Sequence, residues 1–172
     1  GYADTSDALS SYGDREKKLE ILKDPRCGAF AVIRLCTYFL AYFCVAFCIR
    51  FSPRVGLCWT LALVLERGLS GLAVAAFPMA KNTGLAHTFA TAADRESVQK
   101  ILIVLSVLLA AALIALGGGA LVAAALLMLW RYHHVAVKEF DGITGDLAGW
   151  FLQKAEFWML AALAASQWGG IL

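Results

Sequence analysis

The chain has 172 residues, 60% of them apolar and 16% charged, with a mean hydropathy of +0.69 and a formal net charge of +2. A soluble domain sits nearer half apolar and a quarter charged. This composition therefore excludes a disordered chain, a basic nucleic-acid-binding domain and most soluble enzymes, and it predicts a single integral membrane domain over residues 1–172.

Residues 1–27 are polar and carry Asp4, Asp7, Asp14 and Asp24 with five cations, Arg15, Lys17, Lys18, Lys23 and Arg26. Asp14 is placed to N-cap a short helix with Leu19, Ile21 and Leu22 on one side, and Pro25 to end it. That helix is too short and too charged to span a bilayer, so it is read as interfacial. Five apolar stretches follow within 28–172, at about 28–49, 55–77, 98–116, 120–137 and 143–166. Each is near the roughly 20 residues that cross about 30 Å of hydrocarbon. Gly117, Gly118 and Gly119 separate the third and fourth by a tight helical hairpin. Alternating barrel strands are absent, and a lipid-embedded backbone must then bond within helices. The expectation is an all-α polytopic bundle of about five spanning helices plus one short cytoplasmic interfacial helix.

Lys and Arg set the orientation. With the N-terminus inside, the inner segments 1–27, 78–100 and 131–142 hold ten cations and the outer segments hold Arg50 and Arg54 alone. This bias predicts a cytoplasmic N-terminus, and it puts Asp4, Asp7, Asp24, Lys81, Asp141 and Asp146 on one face of the membrane. The five cysteines (Cys27, Cys36, Cys44, Cys48, Cys58) form no CxxC pair and read as small buried apolar residues. Trp130, Tyr132, Trp150, Trp158 and Trp168 suit an interfacial aromatic belt.

Several groupings can carry chemistry. Asp4 and Asp7, at i and i+3, face one way on a helix and can hold one hard divalent cation; a solvated acidic helix start fits the same spacing. In Asp141-Gly142-Ile143-Thr144-Gly145-Asp146, Asp146 falls in the first turn of the last span. A carboxylate there is costly and marks a functional site, while N-capping and glycine packing offer a structural alternative. Lys23 and Arg26 flank Asp24 at the membrane surface, as phosphate ligands or as snorkelling anchors. Glu66 and Arg67 are adjacent at mid-span, so each needs its own partner; Arg67 suits a phosphate or a structural ion pair equally. His133 and His134 point about 100° apart on a helix and match a metal site only loosely.

Taken together, these pieces resemble a known family. Gly1-Tyr2-Ala3-Asp4-Thr5-Ser6-Asp7-Ala8-Leu9, then residues 13–28, resemble the first acidic motif of the cobalamin synthases, the adenosylcobinamide-GDP ribazoletransferases. Glu66-Arg67 falls where that family has Gly-Arg. Phe77-Pro78-Met79-Ala80-Lys81 with Gly84-Leu85 is similar to its Phe-Pro-x-Ala-Arg/Lys segment, and residues 141–149 to its late Gly-Gly-x-Thr-Gly-Asp-x-x-Gly motif. The resemblance covers nearly the whole chain. It departs at Asp141, where many relatives have Gly, which favours Asp146 as the functional acid. Relatives also carry an extra N-terminal part, so the chain is expected to be a piece of a longer protein.

The resemblance implies an enzyme of the bacterial cytoplasmic membrane with cytoplasmic active-site loops. It would join adenosylcobinamide-GDP to α-ribazole or its 5′-phosphate, release GMP and require Mg²⁺. It further implies that Asp4, Asp7 and Asp146 ligate the metal, that Asp7 or Asp146 accepts a proton, and that Lys23, Arg26, Arg67 and Lys81 bind phosphate. The competing readings are a lipid-type phosphotransferase resembling the CDP-alcohol enzymes, a small transporter component and a structural subunit. The Ala/Gly-rich spans also suit a homo-oligomer.

Overall fold

The computed structural model describes residues 1–24, 26–80 and 95–172. Seven helices account for the regular structure among these residues: α1 Tyr2–Ser10, α2 Arg15–Ile21, α3 Ala29–Phe47, α4 Pro53–Ala76, α5 Arg95–Ala115, α6 Gly119–Phe140 and α7 Gly145–Trp168.

Local chemistry sets their ends. The Asp14 side chain accepts from the Lys17 amide at 2.9 Å and starts α2. Ser52 accepts from the Val55 amide at 3.2 Å and Pro53 opens α4, a position where its missing N–H costs nothing. Thr144 accepts from the Leu147 amide at 3.2 Å and starts α7. At the α5–α6 turn Gly117 takes φ 88°, while the Gly118 amide donates to Leu113 O at 2.7 Å and the Gly117 amide to Ile114 O at 2.9 Å. This bond pair is a Schellman ending, which satisfies two otherwise orphaned carbonyls in lipid.

Helices α3, α4, α5 and α6 are each long and apolar enough to cross a membrane. Helix α7 has 24 residues, about 36 Å at 1.5 Å per residue, but carries Gln153, Lys154 and Glu156. It can be this polar because it is the hub: it packs on α1, α3, α4 and α6. The bundle is a polytopic helical membrane fold. Its core runs along α4, α6 and α7 through Leu65, Leu121, Tyr132, Phe151 and Met159, all buried. Helices α3 and α5 lie outside; Ala31 is the one buried residue of α3, and Ser106 and Leu113 are those of α5. Their outward Phe, Ile, Val and Leu side chains form the lipid-facing surface, since lipid removes the penalty that water would impose.

Two expectations need correcting. Cys58 is buried, but Cys27, Cys36, Cys44 and Cys48 are exposed; Cys36 and Cys44 lie on α3, which turns most of its surface outward, and Cys27 and Cys48 lie just before it and at its end. Tyr132 and Trp150 are buried rather than in an aromatic belt, and Tyr132 stacks on Phe151 at 5.1 Å. Trp130, Trp158 and Trp168 are exposed.

The chain alternates between two ends. At one, Arg54 Nε donates to Leu116 O at 2.9 Å, and Arg50 and Gln167 exchange two hydrogen bonds. At the other, α2 docks on α6 through Arg15–Asp141 at 3.0 Å and Lys18–Glu139. The acidic motifs gather at this second end.

Candidate functional site

Helix α1 lies against α3 and α7, and glycines let it approach closely. A Cβ on Gly1 would stand 2.9 Å from Asp146 O, and one on Gly149 would stand 3.8 Å from Gly1 Cα. The first acidic motif and the late motif are thus in backbone contact. The Gly1 backbone nitrogen lies 3.0 Å from Asp4 Oδ2 and 3.8 Å from Asp146 Oδ1, with the two side chains 39% and 42% exposed. Two carboxylates from opposite ends of the sequence therefore face one point of the backbone. Asp146 occupies the first turn of α7, where the helix dipole favours its negative charge.

Asp7 is directed elsewhere. Its Oδ1 accepts from the Ala31 amide at 3.3 Å, at the start of α3. A Cβ on Gly28 would fall 2.2 Å from Asp7 Oδ2, so only glycine leaves room for this carboxylate. Asp7 fastens the first turn of α3 to α1, satisfying an orphan N–H.

A second junction joins the middle and late motifs. The Ile143 amide donates to Pro78 O at 2.8 Å, and the Ala80 amide donates to Ile143 O at 3.0 Å. Gly142, at φ 143°, passes so close that a Cβ would meet Ala80 N at 2.5 Å. Asp141, at φ 63°, ends α6 in the left-handed region. That conformation explains why glycine suits this position; Asp tolerates it better than most residues, and here it pairs with Arg15.

The cations expected to bind phosphate are scattered. Arg26 is held by Asp24, with Nε to Oδ1 at 3.0 Å; this bonding keeps the Asp24 carboxyl below its ordinary range. Lys23 and Arg26 border one shallow depression beside α2. Arg67 is 67% exposed and lies 3.6 Å from Glu66, whose buried carboxylate oxygens have no hydrogen-bond partner. The structure brings Arg67 to neither Asp4 nor Asp146. Lys81 and Gly84-Leu85 lie outside the described residues, as does Pro25. His133 meets Phe77 edge-on and His134 stacks on Trp130, so both are engaged in ring packing.

A cleft of about 290 Å³ opens between α1, α3, α6 and α7. Arg34, Arg131 and Lys154 line it, together with the buried Tyr2, Ser6 and Trp150. Burial pushes the Tyr2 phenol above its ordinary range. Sequence reasoning passed over Arg34, single in an apolar run, and Lys154, set between Gln153 and Glu156 in the last span. The available signal was their cost: a cation within a span needs an interior role.

Among the described residues, no three His, Cys, Asp or Glu side chains close on one metal position. Asp4 and Asp146 nevertheless fit a Mg²⁺ site, because that ion is usually held by one or two carboxylates, with waters and substrate phosphates completing the shell. Their hard oxygen donors stand on either side of one backbone nitrogen, that of Gly1.

Residues 1–164 match the model of the cobalamin-5-phosphate synthase family. The chain is similar to the adenosylcobinamide-GDP ribazoletransferase of Lachnoclostridium phytofermentans, at 40% identity over 95% of this chain and 62% of the relative. It is 32% identical to the enzyme of that name from Pseudomonas syringae pv. tomato, over 95% of this chain and 67% of the relative. The one from Geobacillus sp. is also 32% identical, over 92% of this chain and 63% of the relative. The chain thus spans about two thirds of the length of these curated relatives. No solved structure gives a significant match.

Proposed function

The chain belongs to the cobalamin-5-phosphate synthase family, and on that premise we propose that it forms the phosphoryl-transfer site of a membrane ribazoletransferase. The substrates are adenosylcobinamide-GDP and α-ribazole or its 5′-phosphate. The ribose hydroxyl attacks the phosphorus next to cobinamide; a new O–P bond forms, the P–O bond to GMP breaks, and GMP leaves with its electron pair. The observation that carries this reading is the convergence of Asp4 and Asp146 on the Gly1 backbone nitrogen, where the first and late acidic motifs are in contact.

Asp4 and Asp146 would hold a Mg²⁺ ion, which when bound neutralises pyrophosphate charge. In-line transfer depends mostly on positioning and charge stabilisation, and this chain supplies both. Asp7 or Asp146 takes the proton from the attacking hydroxyl. Asp7 also holds the first turn of α3 against α1. Lys23, Arg26 and Lys81 would contact phosphate at the same membrane face. Arg67 would need a substrate that reaches down α4. The cation bias supports a site on the cytoplasmic face of a bacterial cell, with the bundle in the cytoplasmic membrane.

The test is GMP release from the protein in nanodiscs supplied with adenosylcobinamide-GDP, α-ribazole and Mg²⁺. Product that disappears with chelator is the expected result. No GMP release, either from this chain or from a chain extended upstream of Gly1, would contradict the reading and favour a lipid-headgroup phosphotransferase.

A further inference from the structure

We infer that the cleft between α1, α3, α6 and α7 binds a nucleoside 5′-monophosphate, with Arg34, Arg131 and Lys154 on the phosphate and the rings of Tyr2 and Trp150 beside the base. The cleft is lined by these three cations and by no Asp or Glu. Among the described residues none of the three makes an ion pair or donates a hydrogen bond; Lys154 has only the face of Tyr2, at 5.6 Å. Arg34 and Arg131 are exposed and Lys154 is half-buried, so the three like charges on one small cleft repel each other and Lys154 is partly desolvated as well. An anion of two negative charges relieves both costs at once, and guanidinium groups suit phosphate oxygens bidentately.

Size and lining narrow the ligand. A volume of about 290 Å³ lies near the lower end of small-molecule sites, ~300–1,000 Å³, and exceeds what a bare phosphate fills. Tyr2, packed on Tyr38 at 5.0 Å, and Trp150 stand on the cleft wall, so an aromatic base would lie beside their rings. Position agrees. Tyr2 follows Gly1, and Trp150 follows Gly149, so the cleft adjoins the backbone contact of α1 with α7. The cleft lies on the far side of α1 from Asp4 and Asp7, since Tyr2 and Ser6 share the opposite helix face. The choice of nucleotide rests on the transfer reading above; the phosphate chemistry rests on the cations alone.

The test is binding of GMP, α-ribazole 5′-phosphate, guanosine and inorganic phosphate to the protein in phosphatidylcholine nanodiscs. One or both nucleotides should bind at least about tenfold tighter than guanosine, and which one does so identifies the occupant as the leaving or the accepting nucleotide. R131Q and K154Q should each weaken that binding about tenfold or more, in line with a lost charge-assisted hydrogen bond. K154R should restore it, and R50Q, at the opposite end of the bundle, should leave it unchanged. Equal binding of guanosine and GMP, or wild-type affinity in both R131Q and K154Q, overturns the assignment. In a second set of nanodiscs that also hold phosphatidylglycerol, occupancy of the cleft by that lipid with no nucleotide bound in either set makes the cleft a lipid-headgroup site and also overturns it. Nucleotide binding without any GMP release upholds the cleft and sinks the transfer reading alone. GMP release with an unchanged KM in K154Q does the reverse.

Discussion

Asp4 and Asp146 flank one backbone position and would hold one Mg²⁺ ion, so removing either charge should have the same consequence. Asp146→Asn and Asp4→Asn are each expected to lower GMP release by about 100-fold or more, the scale on which loss of transition-state charge stabilisation is felt, while the protein stays in the membrane. Near-normal turnover in either variant would remove that residue from the metal site. Gly28 makes a separate prediction. A methyl group there would overlap the Asp7 carboxylate, so Gly28→Ala must push Asp7 off the Ala31 amide. Loss of that cap should cost about 1 kcal/mol of stability, read as a lower melting temperature in detergent. An unchanged melting temperature would show that Asp7 does not fasten α3. The sequence made Asp4 and Asp7 legible as a pair, through their i, i+3 spacing. It did not reveal that Gly28 opens a seat for Asp7 at another helix, because that depends on the approach of two elements rather than on either one.

At the scale of elements, helix ends were the most readable feature. Asp14, Gly117 and Thr144 each act through local bonding to the backbone within a few residues, so their effects are written in the adjacent sequence. The facing of the helices was not. Helices α3 to α6 are apolar on nearly every side, and periodicity cannot separate a lipid face from a core face when both are apolar. Hence the exposed cysteines of α3 and the buried Tyr132 and Trp150 ran against expectation. The junction of Pro78–Ala80 with Ile143 is likewise a contact between distant segments. It yields a sharp contrast between two glycines. Gly142→Ala is strained by its φ of 143° and meets backbone at 2.5 Å, and should destabilise by about 2 kcal/mol or more. Gly119→Ala has open space around it and should be neutral. Equal thermal stability of the two variants would contradict the described junction.

For the whole molecule, the two ends of the bundle carry different chemistry, and orientation can be read from a thiol. Cys27 is exposed at the end that holds the acidic motifs. In a variant whose other four cysteines are serine, Cys27 should react with a membrane-impermeant maleimide in inverted vesicles and not in right-side-out ones. The opposite pattern would place the site outside. The same background tests thiol chemistry: Cys36→Ser and Cys44→Ser face lipid, and each should leave GMP release within about twofold, since surface substitutions seldom exceed ±0.5 kcal/mol. Composition and charge bias made the membrane class and the gathering of the acids at one end legible. The central α7, polar where a span should be apolar, became intelligible only once four neighbours were seen to cover it.

One divalent cation between α1 and α7 is central to the proposed chemistry, and Mn²⁺ reports it directly. The protein in nanodiscs, with GMP present, would be titrated with Mn²⁺ and followed by electron paramagnetic resonance. The prediction is a bound ion that is lost in both Asp4→Asn and Asp146→Asn and retained in Asp14→Asn, which alters only the cap of α2. A bound Mn²⁺ signal unchanged in both Asp4→Asn and Asp146→Asn would contradict it.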